Sequence, residues 1–216
     1  MERPERAARK GGPEAARLRI SGYRGGAGKP PRKPPRPEPG KRRLKVNALQ
    51  RTFLDTIAPW AQAAQRKWAV PASVTMAQAI LESSNEKGWG QSDLARECNN
   101  FFGIKAAHSA APNTYKTFST HEYVGGELVT VPAEFARYDS PAESFEAHAR
   151  LLARARRYWP AMRVRTSPEA FAEELQLCGY STNPNYGRSL ATLIRLYDLT
   201  KYDVRPDGPA AVQEAA

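Results

Sequence analysis

Apolar side chains recur with helical spacing only from Asn47 onward. Phe53, Ile57 and Trp60/Ala61 stand about one turn apart, which predicts a helix capped by Asn47 and ending near Trp68. Residues 70–74, with Pro71 and Ser73, break that pattern and make Ser73 the expected cap of a second helix running through Glu82. In it Met76, Ala77, Ile80 and Leu81 form an apolar stripe. Thr75, Gln78 and Glu82, spaced three and four apart, line a separate polar face. Glu82 is thereby expected at the helix end, on the rim of the core.

Residues 114–139 change period. They are rich in Thr, Val, Tyr and Phe and carry Gly125-Gly126 between two candidate strands, a hairpin signal. Ser140-Pro141-Ala142-Glu143 reads as a capping box with proline at the first helical position. The helix it opens points Phe145, Ala149, Leu152 and Ala153 inward and is expected to run to about Trp159. Ser167-Pro168-Glu169 opens another, closed by Gly179, with Phe171 and Leu175 buried. A last helix aligns Tyr186, Leu190, Leu193, Ile194 and Tyr197 on one side. The expected order is helix, helix, β-hairpin and three helices: an α+β domain, mostly α, without internal repeats.

Charge divides the chain. Residues 1–45 hold fifteen of the 33 Lys/Arg and four of the 22 Asp/Glu, a net of +11, so the remainder is neutral. That Pro-, Gly- and Arg-rich tail has almost no large apolar residues and is expected to be disordered, with weak polyanion binding as its one suggested chemistry. Residues 46–205 form the expected folded domain, and 206–216 are expected to fray. No run is long enough for a membrane span and residues 1–45 show no secretory h-region. Cys98 and Cys178, the only cysteines, leave a disulfide and two buried thiols equally open. A monomer is expected.

Most chemistries lack an anchor. There is no HExxH, CxxC, Walker or GxSxG motif, and His108, His121 and His148 are scattered, so neither a metal nor another cofactor is expected. Carboxylates and aromatics remain. Cleaving a glycosidic bond requires a protonated acid for the leaving oxygen and a stabiliser for an oxocarbenium-like sugar ring. Glu82, following Ile80-Leu81 at a helix end, suits an acid whose pKa is raised by burial. Glu122, at the start of the hairpin, could project over a cleft as its partner, or could be an ordinary cross-strand charge.

The segments "VPASVTMAQAILES", "GWGQSDLARECNNFFGIKA", "THEYVGGELVTVPAEFARYDSPAESFEAHARLL" and "LCGYSTNPNYGRSL" occur in that order. Together they resemble the glucosaminidase domain of glycoside hydrolase family 73, the family of flagellar peptidoglycan hydrolases and many autolysins. The likeness covers roughly residues 53–202. It implies a lysozyme-like fold, an α-lobe and a small β-hairpin lobe with a sugar chain between them. It also implies cleavage of the β-1,4 bond between N-acetylglucosamine and N-acetylmuramic acid in peptidoglycan glycan strands.

Carried onto this chain, the resemblance makes Glu82 the general acid, Glu122 a base or charge stabiliser, and Tyr186 the cleft tyrosine tied to catalysis. Trp89, Asn99, Asn100, Phe102, Tyr123 and Tyr180 would border or floor the substrate cleft. In the family, Gly-Trp-Gly usually follows the Leu-Glu-Ser directly; here residues 84–87, "SNEK", intervene, so either the helix extends by a turn or a loop bulges. Alternatives of another class are a non-catalytic wall-binding or scaffolding module, or muramidase specificity on the same fold. The implied substrate lies outside the cytoplasm, in periplasm or wall. Reaching it would take phage lysis, a dedicated export apparatus, or a start codon placed too early.

Overall fold

The structure, a computed structural model, describes residues 46–108, 114–124 and 127–205, the side chains of 121–128 excepted. The expectations for the 1–45 tail, the Gly125-Gly126 turn and the 206–216 tail lie outside the described residues. Helix α1, Ala48–Trp68, starts where the pattern places it: Asn47 Oδ1 accepts the Gln50 N–H at 2.8 Å and Gln50 Oε1 accepts the Asn47 N–H at 3.1 Å. Helix α2, Ala72–Ser83, follows after a left-handed Ala69. Then come the short α3, Asp93–Cys98, which the sequence reading lacks, and strands β1, Tyr115–Val124, and β2, Glu127–Ala136. Helices α4, Pro141–Arg154, α5, Trp159–Arg163, α6, Pro168–Leu177, and α7, Tyr186–Leu196, complete the α-lobe.

Two expectations around α4 are corrected. The helix expected to reach Trp159 ends at Arg154, because residues 156–158 tighten into a 3₁₀ turn that buries Tyr158 before α5 begins. The Ser140 box is also offset: Ser140 Oγ accepts the Glu143 N–H, but Glu143 Oε2 reaches the N–H of Asp139, one residue outside the cap.

Helix α2 organises the rest. Ala72 through Ile80 are all buried, with α1, α6, α7 and the 3₁₀ turn Leu199–Tyr202 packed around them. The expected apolar stripe is therefore only half the story: Thr75 and Gln78 are buried with it, and Leu81 is exposed. Ser73 is not the cap. The helix begins two residues earlier than that cap implies, at Ala72 after Pro71, and its first N–H groups are received from far along the chain. Gln65 Oε1 accepts the Ala72 N–H at 3.0 Å, and Asp203 accepts the Ser73 N–H and hydroxyl at 2.8 Å each. A tertiary cap has replaced the local one.

The β-lobe is a two-stranded antiparallel sheet, paired from Tyr115↔Ala136 to Val124↔Glu127. Its base is sewn to the end of α3 and the segment after it by Tyr138 N–H to Cys98 O at 2.9 Å and Ala136 N–H to Ile104 O at 2.9 Å. Cys98 and Cys178 are free thiols. Helices α6 and α7 approach closely at Gly187, where a Cβ would stand 2.7 Å from the Ala172 carbonyl oxygen. Replacing Asp203 by Ala is expected to cost about 2 kcal/mol, since it strands the buried first turn of α2. Urea unfolding would show it, and an unchanged midpoint would mean that Asp203 does not cap α2.

Candidate active site

Glu82 occupies the last turn of α2, the end at which this buried helix leaves the core. Residues 84–87 settle the alternative left by the sequence: the helix stops at Ser83 and the chain folds into a tight turn, with Asn85 and Gly88 exchanging backbone hydrogen bonds of 3.1 and 3.0 Å. Glu86 is exposed on that turn, whereas Glu82 is half-buried. Burial raises the Glu82 pKa to about 7, against the opposing pull of a hydrogen bond from Tyr186. A carboxyl in that state keeps its proton near neutrality.

Tyr186, the first residue of α7, is buried and reaches across to α2. Its hydroxyl donates to Glu82 and accepts from Gln78 Nε2 at 2.9 Å. Thr75, Gln78 and Glu82 thus do share a face, and it is turned toward α7. Tyr180 stacks on Tyr186, centroids 5.3 Å apart and planes at 22°, and its hydroxyl lies 3.2 Å from His148 Nε2. Burial raises the pKa of both phenols well above the usual value, so both remain neutral donors.

The residues after α3 play a different part. Asn100 is fully buried, and its amide is consumed by backbone: Nδ2 donates to Ile104 O and Ala136 O at 2.9 Å each, while Oδ1 accepts from Ile104 N–H at 3.0 Å. Asn99, with φ at 51°, closes α3 and donates to Tyr138 O at 2.9 Å. Phe102 is enclosed between Phe145 and His148. Asn100 thus ties the segment after α3 to the end of β2, and Phe102 belongs to the aromatic core against α4. Trp89 is half-buried, packed edge-on to Tyr197 at 4.9 Å and to Phe53 at 6.0 Å. For Glu122 and Tyr123 the backbone alone is described: they pair with Val129 and Leu128.

The glucosaminidase model, described as mannosyl-glycoprotein endo-beta-N-acetylglucosaminidase, matches residues 58–199. The chain belongs to that family. The matched span runs from α1 to the 3₁₀ turn after α7 and so contains Glu82, Gln78, Tyr180 and Tyr186. Exo-glucosaminidase LytG of Bacillus subtilis is 36% identical over 159 residues, 71% of this chain and 54% of that protein. Peptidoglycan hydrolase FlgJ of Escherichia coli K12 is 38% identical over 150 residues, 67% and 46% respectively. The chain therefore spans about half the length of these relatives. Among solved structures, the catalytic domain of the autolysin Auto from Listeria monocytogenes superposes with a TM-score of 0.65 at 33% identity, covering 74% of this chain and 90% of that one. The lysozyme-like α+β architecture expected from the sequence is the one this glucosaminidase domain has.

Gln78 and His148 joined the site without having been singled out by sequence reasoning. Gln78 was placed on the correct face but given no task. His148 was set aside with the other histidines, although it interrupts the apolar stripe of α4 between Phe145 and Ala149. A cavity of about 250 Å³ lined by Gln65, Pro71, Arg165, Asp203 and Arg205 lies at the opposite end of α2, beside the tertiary cap and away from Glu82.

Two of the buried titratable groups bear on stability with opposite signs. Folded Glu82 keeps a proton up to about pH 7 that the unfolded chain gives up near 4.5, so its contribution falls as pH rises through that window. Folded His148, held neutral down to about pH 3, refuses a proton that the unfolded chain takes up below 6.5, so its contribution rises with pH between those values. Between 4.5 and 6.5 the two slopes offset. Glu82→Gln removes one of them. Its Tm relative to wild type is expected to climb steadily from pH 4.5 to 7 and to stay level outside that interval; a pH-independent offset would contradict the raised pKa.

Proposed function

We propose that this domain hydrolyses the β-1,4 bond between N-acetylglucosamine and N-acetylmuramic acid in peptidoglycan, with Glu82 as the general acid. The observation that carries the reading is the Glu82 carboxyl itself: half-buried at the exit of α2, protonated near neutral pH, and held by a neutral phenol. Such a group can give its hydrogen to a glycosidic oxygen as the bond lengthens, and the carboxylate left behind is caught by the Tyr186 hydroxyl. The relatives' names support the substrate class. They differ on the mode of attack, one being called an exo-enzyme and the family model an endo-enzyme. We favour endo cleavage. The substrate lies outside the cytoplasm, and the domain would act there.

Glu122 is the proposed partner, a base for water or a stabiliser of positive charge on the ring. Position 122 lies on β1, an even number of residues from the half-buried Phe118 and the buried Thr120, and pairs with Val129. A base that activates water would stand about 6.5–9.5 Å from Glu82 with substrate bound. Asn99 and Asn100 then serve the cleft by fixing the hairpin base, and Tyr123, Tyr180 and Trp89 are the aromatic candidates near the sugar path.

Turbidity loss of purified cell walls measures the reaction. Glu82→Gln is expected to lower the rate by about a thousandfold or more, and unchanged lysis would remove Glu82 from the mechanism. Glu122→Gln is expected to slow lysis by at least tenfold without altering which sugar ends the product. Because the acid must be protonated, kcat is expected to decline above about pH 7. Borohydride reduction of the digest should mark N-acetylglucosamine at the new reducing ends; reduced N-acetylmuramic acid would establish a muramidase instead.

A further inference from the structure

Charge is uneven within the folded domain as well as between domain and tail. Residues 147–168 hold six arginines, Arg150, Arg154, Arg156, Arg157, Arg163 and Arg165, and no Asp or Glu, although residues 46–216 are neutral as a whole. This stretch covers the end of α4, the 3₁₀ turn Arg156–Tyr158, α5 and the loop before α6. The chemistry proposed above gives it no task. Arg154, Arg156, Arg157 and Arg163 are exposed, while Arg150 and Arg165 are half-buried and Arg165 spends an N–H on Met162 O at 2.7 Å. From Arg154 to Arg163 the backbone covers no more than about 20 Å, so the exposed charges crowd one corner of the α-lobe.

Aromatic rings seat three of these guanidinium groups. Arg154 lies over Trp68 at 5.4 Å, Arg156 over Trp159 at 5.7 Å and Arg157 over Tyr158 at 5.5 Å. Among the described residues Arg154, Arg157 and Arg163 form no ion pair, and Lys67, which shares the Trp68 ring, is committed to Glu146. Glu174 on α6 is the acid that shares the surroundings of Cys178 with Arg157. The C-terminal dipole of α4 favours Arg154 but gives no reason for Arg157, three residues beyond its end. A guanidinium held on a ring keeps its outer N–H groups for an anion and gives up little freedom when one arrives. Arg157 also joins this corner to the acid. Its Nη2 lies 3.3 Å from where a Cβ on Gly179 would stand, and ring contacts run from Tyr158 to Tyr180 at 5.9 Å and from Tyr180 to Tyr186 at 5.3 Å.

We propose that Arg154, Arg157 and Arg163 bind the free carboxylates of the peptide stems borne by the glycan strand that the domain cuts. The proposal rests on peptidoglycan being the substrate. Stem carboxylates are the anionic groups of that polymer, and a guanidinium fork meets a carboxylate with two parallel hydrogen bonds. An extended stem of four residues reaches about 13 Å. A strand with its scissile bond at Glu82 therefore carries stems able to reach the Gly179–Tyr180 turn and Arg157 beside it. The corner holds the strand by its branches while Glu82 works on its backbone. Phosphates of lipid headgroups or of nucleic acid suit the same fork, but neither has a reason to lie beside the cleft.

The test uses the full chain, so that the basic tail contributes equally to every arm. Sedimentation with purified walls, freed of phosphate polymers by acid extraction, measures binding in the Glu82→Gln background, which spares the walls from digestion. Adding Arg154→Gln, Arg157→Gln and Arg163→Gln is expected to weaken binding about tenfold at low salt and to flatten its salt dependence. On walls whose carboxyls have been converted to amides, the difference between the two proteins should vanish. Equal binding to untreated walls, or a difference that survives amidation, would overturn the proposal. So would a difference confined to walls that keep their phosphate polymers, to anionic lipid vesicles or to duplex DNA, since each would name a phosphate partner instead. Should the triple variant fail to fold, Arg157→Gln alone must weaken binding about two- to threefold in the same amide-sensitive way, and an unmoved value overturns the proposal as well. Failure of the parent reading shows separately, as walls that the wild-type chain does not clear.

Discussion

A helix enclosed on every side must find all its polar partners in other parts of the chain. That constraint shapes this domain. Helix α2 runs through the centre of the α-lobe, and its first N–H groups cannot be left to water. Gln65 from α1 and Asp203 from beyond α7 supply the missing acceptors, so both ends of the folded chain are drawn to one end of one helix. Gln65 Oε1 also accepts the Val204 N–H at 3.0 Å, which ties the closing segment to the same point. At the other end Ser83 and Ser84 return their hydroxyls to Ala79 and Ile80 carbonyls, and the Ser92 N–H takes the Ser83 carbonyl at 2.8 Å. Glu82 is delivered to the boundary between core and solvent by a helix that has no freedom to roll.

Burial alone would make Glu82 a poor catalyst, because a proton held too tightly is never given up. The partners chosen by the fold moderate this without reversing it. A lysine or arginine within a few ångströms would pull the pKa down by about one to three units and leave the carboxyl ionised at neutrality. A phenol donates one hydrogen bond and brings no charge. Tyr186 lowers the carboxyl only part of the way, and its own pKa, raised by burial, keeps it protonated while it does so. The position of Glu82 in the last turn of α2, near carbonyls of partial negative charge, acts in the same direction as burial.

What the sequence disclosed follows the range of the interactions. Asn47, Ser140 with Pro141 and Ser167 with Pro168 announce helix starts through bonds three residues long, and those starts are where they were expected. Ser73 misled because its helix is capped from 130 residues away by Asp203, and no local pattern encodes that. Leu81 misled because an apolar stripe cannot be assigned when almost the whole circumference is buried. His148 was visible in principle. A histidine between Phe145 and Ala149 on a strongly amphipathic helix must be enclosed, and an enclosed imidazole requires a partner.

The two lobes hold their carboxylates under unequal constraint. Glu82 is set by packing all around α2. The hairpin has two strands, an arrangement that is marginal by itself, and among the described residues its base is attached by Asn100 to Ala136, Tyr138 to Cys98, Lys116 to Glu97, and Phe135 against Lys105. Position 122 lies near the far end of the ladder, two pairs before its last, Val124↔Glu127. The backbone at that position is placed by the ladder. An acid that must meet one glycosidic oxygen benefits from a fixed seat, whereas a group that activates water or balances charge on a sugar ring can do so from a lobe that adjusts to the strand lying in the cleft. The same asymmetry explains why Asn100 spends its entire amide on backbone. It is the rivet between the segment after α3 and the base of the hairpin.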